Sequence, residues 1–86
     1  MYMTEKDIEV QVKVAGILRR KAVPPLKSRD VTLSLEPGAT VSDVIARLGV
    51  ARSLVGSVTV NKKRSPDDLA LENGDVIAII PAISGG

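Results

Sequence analysis

The feature that most constrains the fold is an apolar run near the end of the sequence, Val76-Ile77-Ala78-Ile79-Ile80, which is followed by Pro81. A strand with one face in water alternates apolar and polar residues, whereas this run has no polar position. We therefore expect a strand that is covered on both faces or flanked by strands on both edges, which makes it a central strand. Proline lacks the N–H that a ladder requires, so the strand is expected to end at Pro81.

Three other segments alternate apolar and polar residues, as half-buried strands do. They are residues 8–14, 30–35 and 57–61, and a short edge piece could lie at 69–71. Residues 15–28 hold two adjacent prolines at their centre, so they predict a long connection with one helical turn around residues 17–21.

One helix is predicted between the second and third of these strands. Thr40 and Asp43 fit the pattern of a helix start, in which the Thr hydroxyl accepts from a backbone N–H and the acid lies in the first turn. An apolar stripe follows at Val41, Val44, Ile45 and Leu48, and Gly49 supplies a left-handed stop. Because so short a helix is marginal alone, it must pack on the sheet. The sequence thus predicts an α+β fold with one helix across one sheet face.

Composition excludes several classes of function. The 86 residues form one small domain, and they include neither cysteine nor histidine, which removes the usual nucleophile–base pairs and most zinc sites. The net charge is only +2 and Tyr2 is the sole aromatic residue, which disfavours nucleic-acid binding. No apolar run approaches the roughly 20 residues of a membrane span, and the first residues lack a signal-peptide pattern. We expect a cytoplasmic protein that contacts no membrane and is no self-sufficient enzyme.

Two basic runs and two acidic groups lie outside the expected strands. Residues 19–21 and residues 62–64, the latter inside the expected polar connection 61–68, are each either a solvated loop or a docking patch for an acidic partner surface. The acids at 67–68, and Glu36 with Asp43, lie in turns or at the helix cap without supporting ligands. Neither a metal site nor acid–base catalysis is expected from them.

The last residues, Ala82-Ile83-Ser84-Gly85-Gly86, are the remaining candidate for function. We expect a folded domain over residues 1–81 and a flexible C-terminal arm over residues 82–86, which reaches at most roughly 17 Å beyond Pro81. The two glycines make the arm narrow and leave the terminal carboxylate unhindered. A carboxylate becomes an acyl donor only after activation, for example by adenylation. The chain has no G-x-x-x-x-G-K-[ST] phosphate loop, so a partner must supply that step.

These C-terminal features together resemble a known family. The Leu71-x-x-Gly74-Asp75 turn, the apolar strand, Pro81 and the terminal diglycine are similar to the ubiquitin-like sulfur carriers of the MoaD/ThiS family, and most similar to the small subunit of molybdopterin synthase. The resemblance implies a ubiquitin-like β-grasp fold. Such a fold has a mixed four- to five-stranded sheet with one main helix on one face and a C-terminal Gly-Gly tail.

The resemblance also implies a reaction cycle. An E1-like adenylyltransferase uses ATP to adenylate the Gly86 carboxylate, a sulfur donor enzyme converts it to a thiocarboxylate, and the carrier itself binds no cofactor. The thiocarboxylate then donates sulfur in cofactor biosynthesis. The closest resemblance implies molybdopterin as the cofactor and the large subunit of molybdopterin synthase as the sulfur acceptor. The residues implied to contact these partners are Pro81, Ala82, Ile83, Ser84 and Gly85.

Other functions start from the same arm. Sulfur could instead serve thiamin thiazole or cysteine synthesis. An adenylated Gly86 could also form an isopeptide bond to a lysine, which would make the chain a ubiquitin-like protein modifier. A third hypothesis is a β-grasp interaction domain in which the terminal glycines are incidental.

Overall fold

The computed structural model describes residues 6–82, which form a five-stranded sheet with one main helix. The elements in chain order are β1 (Ile8–Val14), α1 (Gly16–Lys21), β2 (Asp30–Leu35), α2 (Val41–Leu48), a 3₁₀ turn (Arg52–Leu54), β3 (Val55–Val60), β4 (Lys63–Arg64) and β5 (Val76–Pro81). The strand order is β2-β1-β5-β3-β4, with β1 and β5 parallel and the other pairs antiparallel. This mixed sheet with its helix is the expected β-grasp arrangement, so the predicted fold class is confirmed.

Strand β5 lies at the centre of the sheet, as the apolar run predicts. It pairs with β1 on one edge and with β3 on the other. Ile77 and Ile79 are buried in the core, whereas Val76 and Ile80 on the opposite face are 36% and 41% exposed. The sequence offered two explanations for the unbroken apolar run. Strand β5 is flanked by strands on both edges, but it is not buried on both faces.

Helix α2 begins and ends where its sequence signals predict. Thr40 and Asp43 form a reciprocal capping box, in which the Thr40 N–H donates to Asp43 Oδ2 at 2.8 Å and the Asp43 N–H donates to Thr40 Oγ1 at 3.3 Å. Gly49 ends the helix with φ of 75°, a left-handed conformation that favours glycine. The apolar stripe of α2 is fully buried against the sheet, and every buried side chain among the described residues is aliphatic.

The long connection between β1 and β2 contains the short helix α1, close to the predicted turn. Leu18 is its buried residue and packs into the main core. The connection returns to its starting point, because the Val14 N–H donates to the Arg29 carbonyl at 2.7 Å. Its middle is held by a hydrogen bond of 2.9 Å from the Val23 N–H to the Gly49 carbonyl.

The structure differs from the predictions around β3. This strand begins at Val55, and the residues expected to form a polar connection include a hairpin to β4, in which Val60 faces Lys63. The two-residue turn between them has positive φ at Asn61 and Lys62, 52° and 73°, as the tight turns of hairpins often require. The expected edge piece at 69–71 is only an isolated bridge between Thr40 and Ala70.

Candidate functional site

The predicted site lies where the chain leaves β5. Pro81 is the last residue of that strand and is half-buried, and Ala82 follows it. Ile83, Ser84, Gly85 and Gly86 lie outside the described residues, and so does the expected arm apart from Ala82. The described residues therefore fix the point from which the last four residues continue.

The chain is hydrogen-bonded to the folded domain as far as Ala82, one residue beyond Pro81, where the strand is expected to end. Pro81 pairs with Val55 of β3, and the Ala82 N–H donates to the Leu54 carbonyl at 2.8 Å. A proline is tolerated here because β1 ends at Val14, which lies opposite Ile79, so β1 requires no donor from residue 81. Pro81 is thus attached to the first residue of β3, and Ala82 to the last residue of the 3₁₀ turn before it.

Gly56 makes this attachment possible. A Cβ at residue 56 would lie 2.8 Å from the Pro81 carbonyl oxygen and 3.0 Å from the Ala82 Cα, so only glycine lets the two backbones approach this closely. The pairing register shifts between Val55 and Ser57, which marks a bulge at the same position. Sequence reasoning missed Gly56, although an isolated glycine at the start of an alternating strand is a known signal of a bulge or close approach.

An ion pair stabilises the start of β3 beside this attachment. Arg52 donates from Nε and Nη2 to the two carboxylate oxygens of Asp67 at 2.7 and 3.0 Å, and from Nη1 to the Val55 carbonyl at 2.8 Å. The hydrogen bonds from Arg52 lower the pKa of Asp67, and the same bonds raise the pKa of Arg52. Both side chains are about half-exposed, so solvent screens the pair. Arg52 thus links Asp67 to the Val55 carbonyl, which follows the Leu54 carbonyl that accepts from Ala82.

The Glu72-to-Asp75 turn positions the other end of β5. Gly74 adopts φ of 88°, and the Asp75 side chain accepts from the Glu72 N–H at 2.8 Å and from the Asn61 side chain at 2.9 Å. The Asn73 side chain accepts from the Glu9 N–H at 2.9 Å, which ties the turn to β1. This turn has a structural role, because it sets where β5 starts relative to β1.

Two of the acidic residues considered from the sequence also have structural roles. Asp43 caps α2 and Asp67 pairs with Arg52. Within residues 6–82, no three or more Asp or Glu side chains gather in a way that could hold a metal ion. Over the same residues, both helices are too short to cross a membrane.

The fold resembles several solved structures of small ubiquitin-like proteins. Small archaeal modifier protein 1 of Haloferax volcanii is 21% identical, with 88% of this chain and 99% of that chain covered and a TM-score of 0.69. A candidate molybdopterin converting factor, subunit 1, of Pyrococcus furiosus is 22% identical, with coverage of 88% and 99% and a TM-score of 0.70. Caldiarchaeum subterraneum ubiquitin is 17% identical, with coverage of 93% and 99% and a TM-score of 0.60. At these identities the likeness establishes the fold.

The sequence itself matches one protein family. The match to the ThiS family spans residues 12–86, which runs from the middle of β1 through Pro81 and Ala82 to the two final glycines. It therefore covers all of the sheet except the first half of β1, together with the helix α2, the attachment of Ala82 and the arm. The chain belongs to the ThiS family.

Proposed function

We propose that this chain is a sulfur carrier whose Gly86 carboxylate is adenylated and then converted to a thiocarboxylate. The observation that carries the proposal is the ThiS-family match, which extends through Gly85 and Gly86. Proteins of this family with a ubiquitin-like fold are small carriers rather than catalysts. The chain is accordingly a protein co-substrate, and the enzymes that activate it and accept its sulfur are its partners.

The proposed chemistry takes place at the terminal carbonyl carbon. A carboxylate oxygen of Gly86 attacks the α-phosphorus of ATP on an E1-like adenylyltransferase, and pyrophosphate leaves. A sulfide equivalent from a sulfur donor enzyme then attacks the carbonyl carbon, a carbon–sulfur bond forms, and AMP leaves with the electron pair of the broken carbon–oxygen bond. The product is a thiocarboxylate, which can transfer its sulfur to an acceptor.

The described residues support this chemistry through the attachment of the arm. The hydrogen bond from Ala82 to Leu54 holds the chain to the sheet, and the four residues beyond it span at most about 14 Å when extended. An adenylating enzyme must therefore place its ATP within that distance of the surface on which the carrier docks. Pro81 to Gly85 would contact the partner's channel, and the absent side chains of Gly85 and Gly86 suit a narrow one.

For the acceptor, we propose the large subunit of molybdopterin synthase. The likeness to the candidate molybdopterin converting factor subunit of Pyrococcus furiosus supports this choice over thiamin thiazole or cysteine synthesis. A cytoplasmic location belongs to the same proposal, because the activating enzyme consumes ATP.

A second function, protein modification, is favoured by a separate observation. The fold is similar to small archaeal modifier protein 1 and to a ubiquitin. Both functions begin with the same adenylate and differ in the nucleophile that attacks it, sulfide for a carrier and a lysine amine for a modifier. Gly-Gly remnants on lysines of other proteins, found by peptide mass spectrometry, would support the modifier.

The experiment that tests the carrier function is a reconstitution. The purified chain is incubated with the E1-like enzyme of its own source cells, ATP and sodium sulfide, and intact mass is measured. We expect a mass increase equal to the exchange of one oxygen for sulfur, lost when ATP is omitted or Gly86 is deleted. Pyrophosphate exchange by the enzyme serves as the control for its competence. Exchange without any gain of sulfur would reject the carrier and leave the modifier.

A further inference from the structure

The positive charge of this chain is concentrated in one segment. Residues 15–29, here called the basic segment, contain five cationic residues and no acidic residue. The cationic residues are Arg19, Arg20, Lys21, Lys27 and Arg29. Because the whole chain carries a net charge of +2, all other residues together carry −3.

Both ends of the basic segment lie at the end of the sheet from which the arm continues. The segment starts directly after Val14, which pairs with Ile79 near the end of β5, and it returns through the hydrogen bond from the Val14 N–H to the Arg29 carbonyl. A shallow groove at this end is lined by Ala15 and Arg29 together with Ala78 and Ile79, and its charged lining also includes Lys13 and the acid Asp30. The fold thus places both ends of the basic segment, and Arg29 with them, at the end of the sheet from which the arm continues.

Internal interactions account for only part of this charge. The three cations at residues 19–21 occupy the last turn of α1, where they complement the helix dipole. The Arg19 guanidinium also donates to the Leu26 carbonyl at 3.0 Å. However, Lys27 and Arg29 lie outside the helix, and within residues 6–82 the single ion pair is that of Arg52 with Asp67. Helix stability therefore does not explain the whole segment.

Two large apolar side chains are exposed within the same segment. Ile17 is 52% exposed and Val23 is 79% exposed, which makes Val23 the most exposed large apolar residue of residues 6–82. Apolar anchors surrounded by charged residues are typical of a protein–protein interface. Nucleic-acid surfaces of this size usually add aromatic side chains for stacking, and the basic segment has none.

We infer that the basic segment docks on an acidic surface of the adenylating enzyme, around the opening that receives the arm. This inference rests on the proposed function and adds the chemistry of the partner surface. Charges beside the arm raise the rate of productive encounter, because they attract the carrier in the orientation that aims residues 83–86 at the opening. The interaction is expected to weaken with salt, since exposed charges are screened over about 10 Å at 0.1 M ionic strength.

The test compares two triple variants with the same change in charge. The first combines Arg20→Gln, Lys21→Gln and Lys27→Gln in the basic segment. The control combines Lys62→Gln, Lys63→Gln and Arg64→Gln in the hairpin of β3 and β4, which lies near the start of β5 at the opposite end of the sheet. Both variants change exposed residues only, so urea unfolding is expected to show each within about 0.5 kcal/mol of the wild type.

The measurement is pyrophosphate exchange by the E1-like enzyme of the source cells as a function of carrier concentration. We expect the basic-segment variant to raise KM about tenfold with kcat unchanged, and the control to stay within about twofold. The tenfold difference should shrink as salt is raised from 50 to 300 mM, since these are screened surface charges.

Three outcomes would overturn the inference. Equal KM values for the two variants, with normal thiocarboxylate formation, would reject the basic segment and leave the carrier function intact. Absence of exchange with wild-type chain would reject both. An unchanged KM together with binding of a single-stranded RNA 20-mer that the basic-segment variant loses would assign the segment to nucleic acid instead.

Discussion

Replacing Gly56 with alanine tests how the arm is attached to the sheet. The new Cβ would lie 2.8 Å from the Pro81 carbonyl oxygen, so backbone must move. The simplest relief is detachment of Pro81 and Ala82, which forfeits the hydrogen bond from Ala82 to Leu54, worth about 1 kcal/mol. Distortion of β3 adds to this, and overpacking of this kind costs about 1–3 kcal/mol in total. Reduced entropy of the unfolded chain offsets about 0.4–1 kcal/mol.

The expected net loss for Gly56→Ala is therefore about 1–2 kcal/mol, which lowers Tm by about 5–15 °C in a domain of this size. Urea and thermal unfolding measure it, and hydrogen exchange should show that the Ala82 amide loses protection. Gly16→Ala is the matched control, because its Cβ meets nothing within 4 Å at the half-buried first residue of α1. The reasoning would be refuted if the two variants had equal stability, or if Ala82 kept its protection in Gly56→Ala.

Three further predictions concern other parts of the account. Thr40→Ala removes the capping box with Asp43 and should destabilise the fold by about 1 kcal/mol in urea unfolding. Thr40→Ser should keep most of the wild-type stability, and an unchanged urea midpoint for Thr40→Ala would contradict the capping role. Arg52 lowers the pKa of Asp67 in the folded state below its ordinary 3.8. Any excess in the free energy of unfolding of the wild type over Asp67→Asn should therefore be present above pH 3.8 and be lost as the pH falls below it. An excess that grows in acid would refute this. Deleting Gly86 should leave Tm unchanged while abolishing pyrophosphate exchange by the E1-like enzyme. A lowered Tm would show that Gly86 contributes to the stability of the folded domain.

Much of the fold could be predicted because its signals are local. The alternation of β1, the capping residues of α2 and the unbroken apolar run of β5 each report a periodicity or a cap within a few residues. The central position of β5 in the sheet was predicted from its unbroken run of apolar residues. Both edges of this strand are paired as predicted, although one of its faces stays partly open.

The missed features depend on contacts between distant residues. The β3–β4 hairpin was hidden because Lys62 occupies a turn position with positive φ where glycine is the usual signal. The requirement for Gly56 arises from the approach of Pro81 and Ala82, about 25 residues later in the chain, and the local pattern of a single glycine before an alternating strand does not say which residues approach it. Pro81 belongs to the strand because β1 ends early, and this too is a tertiary fact.

The candidate site was predictable in part for the same reason. The diglycine and Pro81 are visible in the sequence, whereas the attachment of Ala82 to Leu54 emerges only from the antiparallel pairing of β3 with β5. The place of the basic segment emerges only from the parallel pairing of β1 with β5. The Arg52–Asp67 ion pair likewise joins residues that lie 15 positions apart and belong to no shared local pattern.

Whether Gly86 carries sulfur can be read from the intact mass of this protein, isolated from its own cells under conditions that preserve thioacids. We expect a population heavier than the unmodified chain by the exchange of one oxygen for sulfur, with fragment ions that place the change on Gly86. A protein found only as the unmodified carboxylate, or only joined through Gly86 to lysines of other proteins, would contradict the sulfur-carrier function.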